Sequence, residues 1–234
     1  MNNNYQHIKV IGFDADDTLW VNETYFRDAE LEFAQLMATY DTSIRIDEIL
    51  YKKEIDNLPL YGYGIKGFVL SMIETAIELS HHKLSNEIIV QILNIGKDVL
   101  NAPVDLLDGV ENVLKYLSNK YKLIVLTKGD LLDQERKLKT SNLSPYFHHI
   151  EVLSDKQESN YVRVLERLEV KPSEFLMIGN SLKSDILPVI NIGAQAIHIP
   201  FHTTWLHEQV TMKETKNSYY ASITSLHELK LLLN

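Results

Sequence analysis

Short apolar runs alternate with stretches of helical spacing over most of this chain, and that alternation constrains the fold more than any other feature. The apolar runs lie at 8–13, 122–126, 149–153, 175–178 and 194–199. The helical patterns that separate and follow them lie near 110–119, 130–141, 157–169, 182–192 and 224–233. Short buried strands that alternate with helices are typical of βαβ units, which build a parallel sheet. We therefore predict an α/β fold with a Rossmann-like core.

Residues 22–102 differ from the rest of the chain because they contain no convincing strand pattern. Their apolar side chains follow helical spacing, which predicts four helices. The last of these runs from Asn86 to Leu100 with Ser85 as its N-cap, and Asn101-Ala102-Pro103 ends it. We predict an inserted α-helical domain at 22–102, set into a core formed by 1–21 and 103–234.

Composition limits the class of protein. The 234 residues are 45% hydrophobic and 24% charged, which is ordinary for a soluble globular protein. A formal net charge of −9 argues against sequence-independent nucleic-acid binding, which needs a basic face. The chain has no cysteine, so disulfides and thiolate catalysis are excluded. With no signal-peptide pattern and no apolar run of membrane-spanning length, we expect a cytoplasmic protein without a membrane partner.

Polar side chains suited to catalysis follow four of the predicted strands. In chain order they are Asp14 and Asp16, Thr127 and Lys128, Lys156, and Asn180 and Asp185. The carboxyl ends of parallel strands lie at one edge of a sheet, and ligands of open α/β sheets bind there. We therefore predict that these residues, although distant in the chain, converge on one site.

The chemistry of this set matches the needs of phosphoryl transfer. A carboxylate can attack phosphorus as a nucleophile, and a second carboxyl group can act as general acid and base. A threonine hydroxyl can donate to a phosphate oxygen, while a lysine and a divalent cation offset the negative charge. Carboxylates also suit a hard cation such as Mg²⁺.

The order of these residues resembles the haloacid dehalogenase superfamily of hydrolases. The matching pattern is Asp14-x-Asp16-x-Thr18, then Thr127, then Lys156, then Gly179-Asn180-Ser181 with Asp185. The helical insertion between the first and second motifs resembles the C1-type cap of that superfamily. The similarity covers nearly the whole chain, and it implies a Rossmann-like hydrolase of the phosphatase type.

The resemblance implies a role for each matching residue. Asp14 would be the nucleophile that becomes phosphorylated, and Asp16 would be the general acid and base. Thr127 would hold the phosphate, and Lys156 would balance the charge of Asp14 and the phosphate. Lys128 stands where many relatives carry asparagine; it either adds positive charge near the substrate or is a solvated surface lysine.

The metal set implied by the resemblance consists of Asp14, the backbone carbonyl of Asp16, and the fourth motif with Asn180 and Asp185. Asn180 departs from the family pattern, because its position usually carries an acid. An amide oxygen can ligate Mg²⁺ but brings no charge, so we expect looser Mg²⁺ binding than with two acids. Which of Asn180 and Asp185 ligates directly stays open.

Asp16 separates two activities within the superfamily, because a halide leaves without a proton whereas an alcohol needs one. It therefore points to a Mg²⁺-dependent phosphatase that hydrolyses a small phosphate monoester through an aspartyl-phosphate. The alternatives are a phosphomutase or phosphonate hydrolase on the same scaffold, and a non-catalytic phosphoacceptor or sensing protein. The substrate and the oligomeric state are not indicated.

Two segments and one residue lie outside the motifs that carry the predicted chemistry. The glycine-rich stretch Tyr61–Gly67 is either a loop that contacts the substrate or an aromatic turn between helices. The histidine-rich stretch His198–His207 could suggest zinc, but its irregular spacing favours a late loop at the rim of the site. Asp17 is expected to be a solvent-facing turn residue.

Overall fold

The computed structural model describes residues 5–210 and 220–234 of the chain. Within them the strands are β1 (Val10–Phe13), β2 (Lys122–Lys128), β3 (His149–Leu153), β4 (Phe175–Gly179), β5 (Gln195–His198) and β6 (Ala221–Ser222). They form one sheet in the order β3-β2-β1-β4-β5-β6, and every adjacent pair is parallel. The predicted α/β class with a Rossmann-like parallel sheet is confirmed.

The helices of the described residues are α1 (Glu23–Met37), α2 (Ser43–Tyr61), α3 (Ile65–Leu79), α4 (Asn86–Asn101), α5 (Val110–Leu117), α6 (Leu131–Thr140), α7 (Glu158–Leu168), α8 (Leu187–Asn191) and α9 (Leu229–Leu232). A π-helical turn, Leu182–Ile186, precedes α8. Short 3₁₀ helices include Leu206–Glu208, which lies between β5 and β6. None of the helices described has the length and apolar character that crossing a membrane requires.

The first strand is the centre of the sheet. Gly12 of β1 pairs with Ile124 on one side and with Met177 on the other. The strand order reverses beside β1, and this switch point is where open α/β sheets bind their ligands. Asp14 follows β1 directly, so the topology alone places the predicted nucleophile at the switch point.

Both faces of the sheet are covered. Ile11 and Phe13 pack on one face with Leu114 of α5, whereas Val10 packs on the other face with Tyr161 of α7. Alternate side chains of a strand point to opposite faces, so this division follows from the period of two. The strands are consequently buried on both sides and read as continuous apolar runs.

The structure differs from the sequence expectation at one helix and at one strand. The pattern predicted near 182–192 is a π-helical turn followed by the short helix α8, because Pro188 lacks an amide hydrogen and fits only the first helical turn. The strand β6 was not predicted, since Ala221–Ser222 is too short to show a period of two.

The described chain divides into two compact units, and the second comprises Asn22–Pro103 together with Gly129–Asp133. This unit has its own apolar core, which includes Phe33, Met37 and Met72. Within it the Asp130 carboxylate accepts a hydrogen bond from the backbone amide of Lys66 at 3.1 Å and lies 3.3 Å from the Lys66 ammonium. Residues 129–133 follow β2 in the chain but pack with the helical unit.

The glycine-rich stretch forms a turn between two helices. Tyr61 ends α2, and Ile65 begins α3. Gly62 and Gly64 have φ of 72° and 111°, and a Cβ on Gly64 would lie 2.7 Å from the backbone nitrogen of Asp130. Glycine is needed at both positions because side chains rarely adopt such φ values, and at 64 also because no space is left for a side chain.

We predict that Gly12→Ala destabilises the protein by about 1–3 kcal/mol, because overpacking a filled core costs that much. A Cβ on Gly12 would lie 2.8 Å from Cζ of Phe175 and 2.9 Å from Cδ1 of Leu126. The free energy of unfolding in urea measures the effect. Gly193→Ala is the control: its Cβ meets nothing within 4 Å, and its φ of 83° should cost only about 1 kcal/mol. A smaller loss at Gly12 than at Gly193 would contradict the packing described for β1.

Candidate active site

One lysine connects carboxylates from two strand ends. The Lys156 ammonium donates to Oδ1 of Asp14 at 2.5 Å and to Oδ1 of Asp185 at 2.6 Å. All three residues are buried. They follow β3, β1 and β4 respectively, so the structure brings together three residues that the sequence predicted to converge.

Charge in this cluster is not balanced by the protein alone, since two carboxylates face one ammonium. Burial and the neighbouring Asp185 raise the pKa of Asp14 to about 7, although Lys156 opposes the rise. Burial alone would lower the pKa of Lys156, but the Asp14 and Asp185 carboxylates outweigh it and raise that pKa. The site therefore favours an additional positive charge.

The fourth motif is a tight turn that holds Asp185 in place. Oδ2 of Asp185 accepts from the backbone amide of Ser181 at 3.0 Å, and the Ser181 hydroxyl accepts from the Ser184 amide at 3.0 Å. The Asp185 side chain occupies the space beside the α-carbon of Gly179, where a Cβ would overlap it. Glycine at 179 is thus required by close approach of the carboxylate.

The buried Thr18 hydroxyl joins the first and fourth motifs. Its Oγ1 lies 3.0 Å from Oδ2 of Asp14 and 3.3 Å from the side-chain oxygen of Asn180, so it can donate to either. Asn180 therefore lies close to the Asp14 carboxylate, as the predicted metal set requires. Thr18 orients that carboxylate from the side opposite Lys156.

Asp16 is held by three donors. Its Oδ1 accepts from the indole nitrogen of Trp20 at 2.8 Å and from the Lys137 ammonium at 3.1 Å. Its Oδ2 accepts from the side-chain amide of Gln134 at 2.7 Å. Sequence reasoning missed all three partners; the only available signal was the spacing of 134 and 137 on one face of a predicted helix.

Asp17 is buried, so its predicted exposure to solvent is wrong. Its φ of 63° is left-handed, and its amide donates to the carbonyl of Trp20 at 2.7 Å. The tight turn that returns the chain to Trp20 draws Asp17 inward. Aspartate tolerates this backbone region better than most residues.

The end of β2 contributes the neighbours Thr127 and Lys128. Thr127 is buried, and its hydroxyl donates to the Lys128 carbonyl at 3.1 Å. The Lys128 ammonium lies 2.6 Å from the Glu208 carboxylate and donates to the Ser184 hydroxyl at 2.9 Å. Only 13% of each side chain in this ion pair is exposed, so Lys128 is not a solvated surface lysine.

Glu208 is a part of this region that sequence reasoning did not find. Its Oε2 accepts from the hydroxyls of Ser181 at 2.5 Å and Ser184 at 2.6 Å. Burial would raise the pKa of Glu208, but the Lys128 ammonium and the serine hydroxyls outweigh burial and lower it to about 2. Glu208 thus ties the segment after β5 to the ends of β2 and β4.

The histidines of the late segment have separate partners. Nε2 of His198 lies 3.0 Å from the Asn180 carbonyl, and burial lowers the pKa of His198. Nδ1 of His202 contacts the Thr203 hydroxyl, and Nε2 of His207 lies 3.3 Å from the Lys183 ammonium. Among residues 5–210 and 220–234, no three His, Cys, Asp or Glu side chains form a group that could hold a metal.

The carboxylate and amide oxygens that follow β1 and β4 nevertheless suit a hard cation. Mg²⁺ takes oxygen ligands and binds through one or two carboxylates plus waters and substrate phosphate rather than through a closed protein cage. Asp14, Asp185 and the Asn180 side chain supply such oxygens, and their excess negative charge favours a cation. These residues, with the backbone carbonyl of Asp16, could hold Mg²⁺.

Two proteins of known name are similar to this chain over nearly its whole length. The human N-acylneuraminate-9-phosphatase is 24% identical over 239 residues, covering 97% of this chain and 94% of that protein. The pyrimidine 5'-nucleotidase YjjG of Escherichia coli (strain K12) is 23% identical over 236 residues, covering 95% of this chain and 96% of its own. Both similarities extend over the sheet and the helical insertion.

Solved structures show the same architecture. A haloacid dehalogenase-like family hydrolase from Xanthomonas campestris has a TM-score of 0.83 at 36% identity, covering 97% of this chain and 92% of its own. The HAD-hydrolase YfnB from Bacillus subtilis, whose structure is described as bound to magnesium, has a TM-score of 0.64 at 19% identity. It covers 97% of this chain and 99% of its own.

The family model of the haloacid dehalogenase-like hydrolases matches residues 8–193. This range contains β1 and includes Asp14, Thr127, Lys156 and Asp185. The chain therefore belongs to the haloacid dehalogenase-like hydrolases.

Proposed function

We propose that the protein is a Mg²⁺-dependent phosphatase that hydrolyses a small phosphate monoester through an aspartyl-phosphate on Asp14. The observation that carries this proposal is the buried Asp14–Lys156–Asp185 cluster at the switch point of the sheet. The names of the human and E. coli relatives denote the hydrolysis of phosphate esters, which supports this class of substrate.

In the first step an oxygen of the Asp14 carboxylate attacks phosphorus. The bond from phosphorus to the ester oxygen breaks, and its electron pair goes to the departing oxygen. The Asp16 carboxyl group gives its proton to that oxygen, so an alcohol leaves and Asp16 becomes a carboxylate. Asp14 then carries the phosphoryl group.

In the second step water attacks phosphorus of the aspartyl-phosphate. The Asp16 carboxylate takes a proton from this water, which restores its acid form. The bond between phosphorus and Asp14 breaks with its electrons returning to Asp14, and inorganic phosphate is released. Both steps use one acid and base in its two protonation states.

Three residues at the strand ends form the phosphate-binding region in this proposal. The Thr127 hydroxyl donates to a phosphate oxygen, and the Lys156 ammonium offsets the charge of Asp14 and the phosphate. Lys128 belongs to this set by its position beside Thr127. Because Glu208 neutralises its ammonium, we expect Lys128 to order the end of β2 rather than to add net charge.

The proposed metal ligands are Asp14, Asp185, Asn180 and the backbone carbonyl of Asp16. When bound, Mg²⁺ supplies positive charge that reduces the repulsion between a carboxylate nucleophile and a phosphate dianion. The raised pKa of Asp14 supports this assignment, since a nearby cation favours the ionised form that attacks phosphorus.

The helical unit is proposed as a C1-type cap that selects the substrate. It is inserted after the first motif, and such insertions can close over a site and exclude water during the reaction. The positive φ values of Gly62 and Gly64 set the backbone of the turn between α2 and α3, and the hydrogen bond from the Lys66 amide to Asp130 holds it. Tyr63 lies in this turn, and Lys66 follows it in α3. We propose that this turn contributes to the choice of substrate.

We predict that Asp14→Asn lowers Mg²⁺-dependent phosphate release by at least about a thousandfold, because an amide is a poor nucleophile for phosphorus. Phosphate release from a panel of phosphorylated metabolites measures the loss, and circular dichroism checks the fold. Asp108→Asn is the matched control, since 94% of that side chain is exposed. Full activity of the folded Asp14→Asn variant would exclude Asp14 as the nucleophile.

We predict that Asn180→Asp tightens Mg²⁺ binding about tenfold, a difference of ~1.4 kcal/mol, because it adds a charged ligand. The Mg²⁺ concentration that gives the half-maximal rise in melting temperature measures the affinity without reference to activity. The metal-free variant should melt below the wild type, since a further carboxylate joins Asp14 and Asp185. The exposed Asn119→Asp variant is the control. Unchanged affinity would place Asn180 outside the metal shell.

We predict that Glu208→Gln destabilises the protein more at neutral pH than in acid. The folded pKa of Glu208, about 2, is below its ordinary value of 4.5, so its stabilisation is complete above 4.5 and is lost as the pH falls toward 2. The difference in unfolding free energy between wild type and variant should shrink by roughly 1 kcal/mol from pH 7 to pH 3.5. Glu166→Gln, at an exposed position, is the control. A difference independent of pH would contradict the ion pair with Lys128.

A further inference from the structure

We propose that Gln134, Lys137 and Trp20 are positioning residues that hold the Asp16 carboxyl group and leave one position on its Oδ2 open for the transferred proton. The inference rests on the proposed role of Asp16 as general acid and base, and it deepens that role. It assigns a function to one face of α6, which none of the sequence motifs includes.

The number of donors determines where a proton can reside on Asp16. A carboxylate offers about four acceptor positions, two on each oxygen. Oδ1 accepts from Trp20 and Lys137, whose side chains only donate here, so both of its positions are filled. A proton on Oδ1 would point at an N–H group and lose a hydrogen bond. The proton of the acid form therefore belongs on Oδ2.

Oδ2 has one donor within the described part of the chain, the Gln134 amide at 2.7 Å. One of its two positions remains for the proton that the ester oxygen receives. In the carboxylate form, the same position accepts the proton of the attacking water. The three donors thus select one oxygen and one direction for both proton transfers.

The hydrogen bonding of Gln134 indicates that its side chain holds Asp16 rather than only filling space in the core. Only 2% of the residue is exposed, and its amide oxygen is buried without a hydrogen-bond partner in residues 5–210 and 220–234. A buried polar atom without a partner costs about 1–3 kcal/mol. Within the described residues the nitrogen of Gln134 donates to Asp16 whereas its oxygen accepts no hydrogen bond, which fits a residue that holds that carboxylate.

The donors come from two separate parts of the core unit. Gln134 and Lys137 are three residues apart on α6, so they lie on one helix face. Trp20 is fully buried and closes the turn after β1 through its carbonyl, which accepts from Asp17. Restraint from two elements fixes the orientation of the Asp16 side chain, so the loss of any one contact lets that orientation change, and orientation matters for proton transfer.

The consequence depends on the leaving group. The departing oxygen of an alkyl phosphate needs a proton, because an alkoxide is a poor leaving group. The p-nitrophenolate of p-nitrophenyl phosphate leaves without one. A misplaced Asp16 therefore slows the first step for alkyl phosphates and affects p-nitrophenyl phosphate little. A general loss of structure slows both equally.

The test compares kcat/KM for p-nitrophenyl phosphate with kcat/KM for ribose 5-phosphate and glycerol 3-phosphate, since kcat/KM reports the first step. We expect Gln134→Leu and Lys137→Met to lower kcat/KM for the alkyl phosphates about 10–100-fold, part of the 10²–10⁴-fold typical of acid catalysis. The value for p-nitrophenyl phosphate should fall less than about threefold. Trp20→Phe keeps the buried ring but removes the N–H donor, and it should show the same split.

Two variants on α6 serve as references. Lys137→Arg keeps a donor and should restore most of the alkyl phosphate activity, while the exposed Lys139→Met should leave both substrates unaffected. Equal losses with both kinds of ester, or no loss with either, would overturn the positioning role alone. A wild-type protein that releases no phosphate from any ester would overturn the proposed function, and the inference with it.

Discussion

The site depends on one ammonium group enclosed between two carboxylates. Lys156 is buried, and each of its contacts reaches a different strand end. A buried charge is tolerated only where opposite charge and hydrogen bonds compensate for lost water. The lysine therefore requires Asp14 and Asp185 as partners, and the ends of β1, β3 and β4 must meet for the buried ammonium to keep its charge.

The sheet satisfies that requirement through its topology, and this explains why so much of the site could be predicted. Alternating strands and helices predict a parallel sheet, and a parallel sheet places Asp14, Lys156 and Asp185 at one edge. Their residue types then indicate phosphoryl transfer. Local patterns and one rule of topology are enough to predict this convergence, and the family match over residues 8–193 agrees with it.

The features that the sequence did not predict depend on contacts that form only in the folded chain. Gln134, Lys137 and Glu208 contact the site through side chains whose partners are distant in the chain and follow no local pattern. The inward position of Asp17 arises from a tight turn rather than from residue polarity. Long-range pairing of side chains depends on the finished fold, so spacing within a segment does not reveal it.

Because residue 179 is glycine, the Asp185 carboxylate can pack against its α-carbon, and this restricts the substitutions that position 179 can accept. The Asp185 carboxylate fills the volume that any larger residue at 179 would need. Adding a single methyl group would displace the Asp185 carboxylate from its contact with Lys156, although position 179 itself contributes no side chain to that cluster. Tolerance to mutation at this strand end is therefore limited by the volume that Asp185 occupies, and a change as mild as glycine to alanine would act there like the loss of that carboxylate.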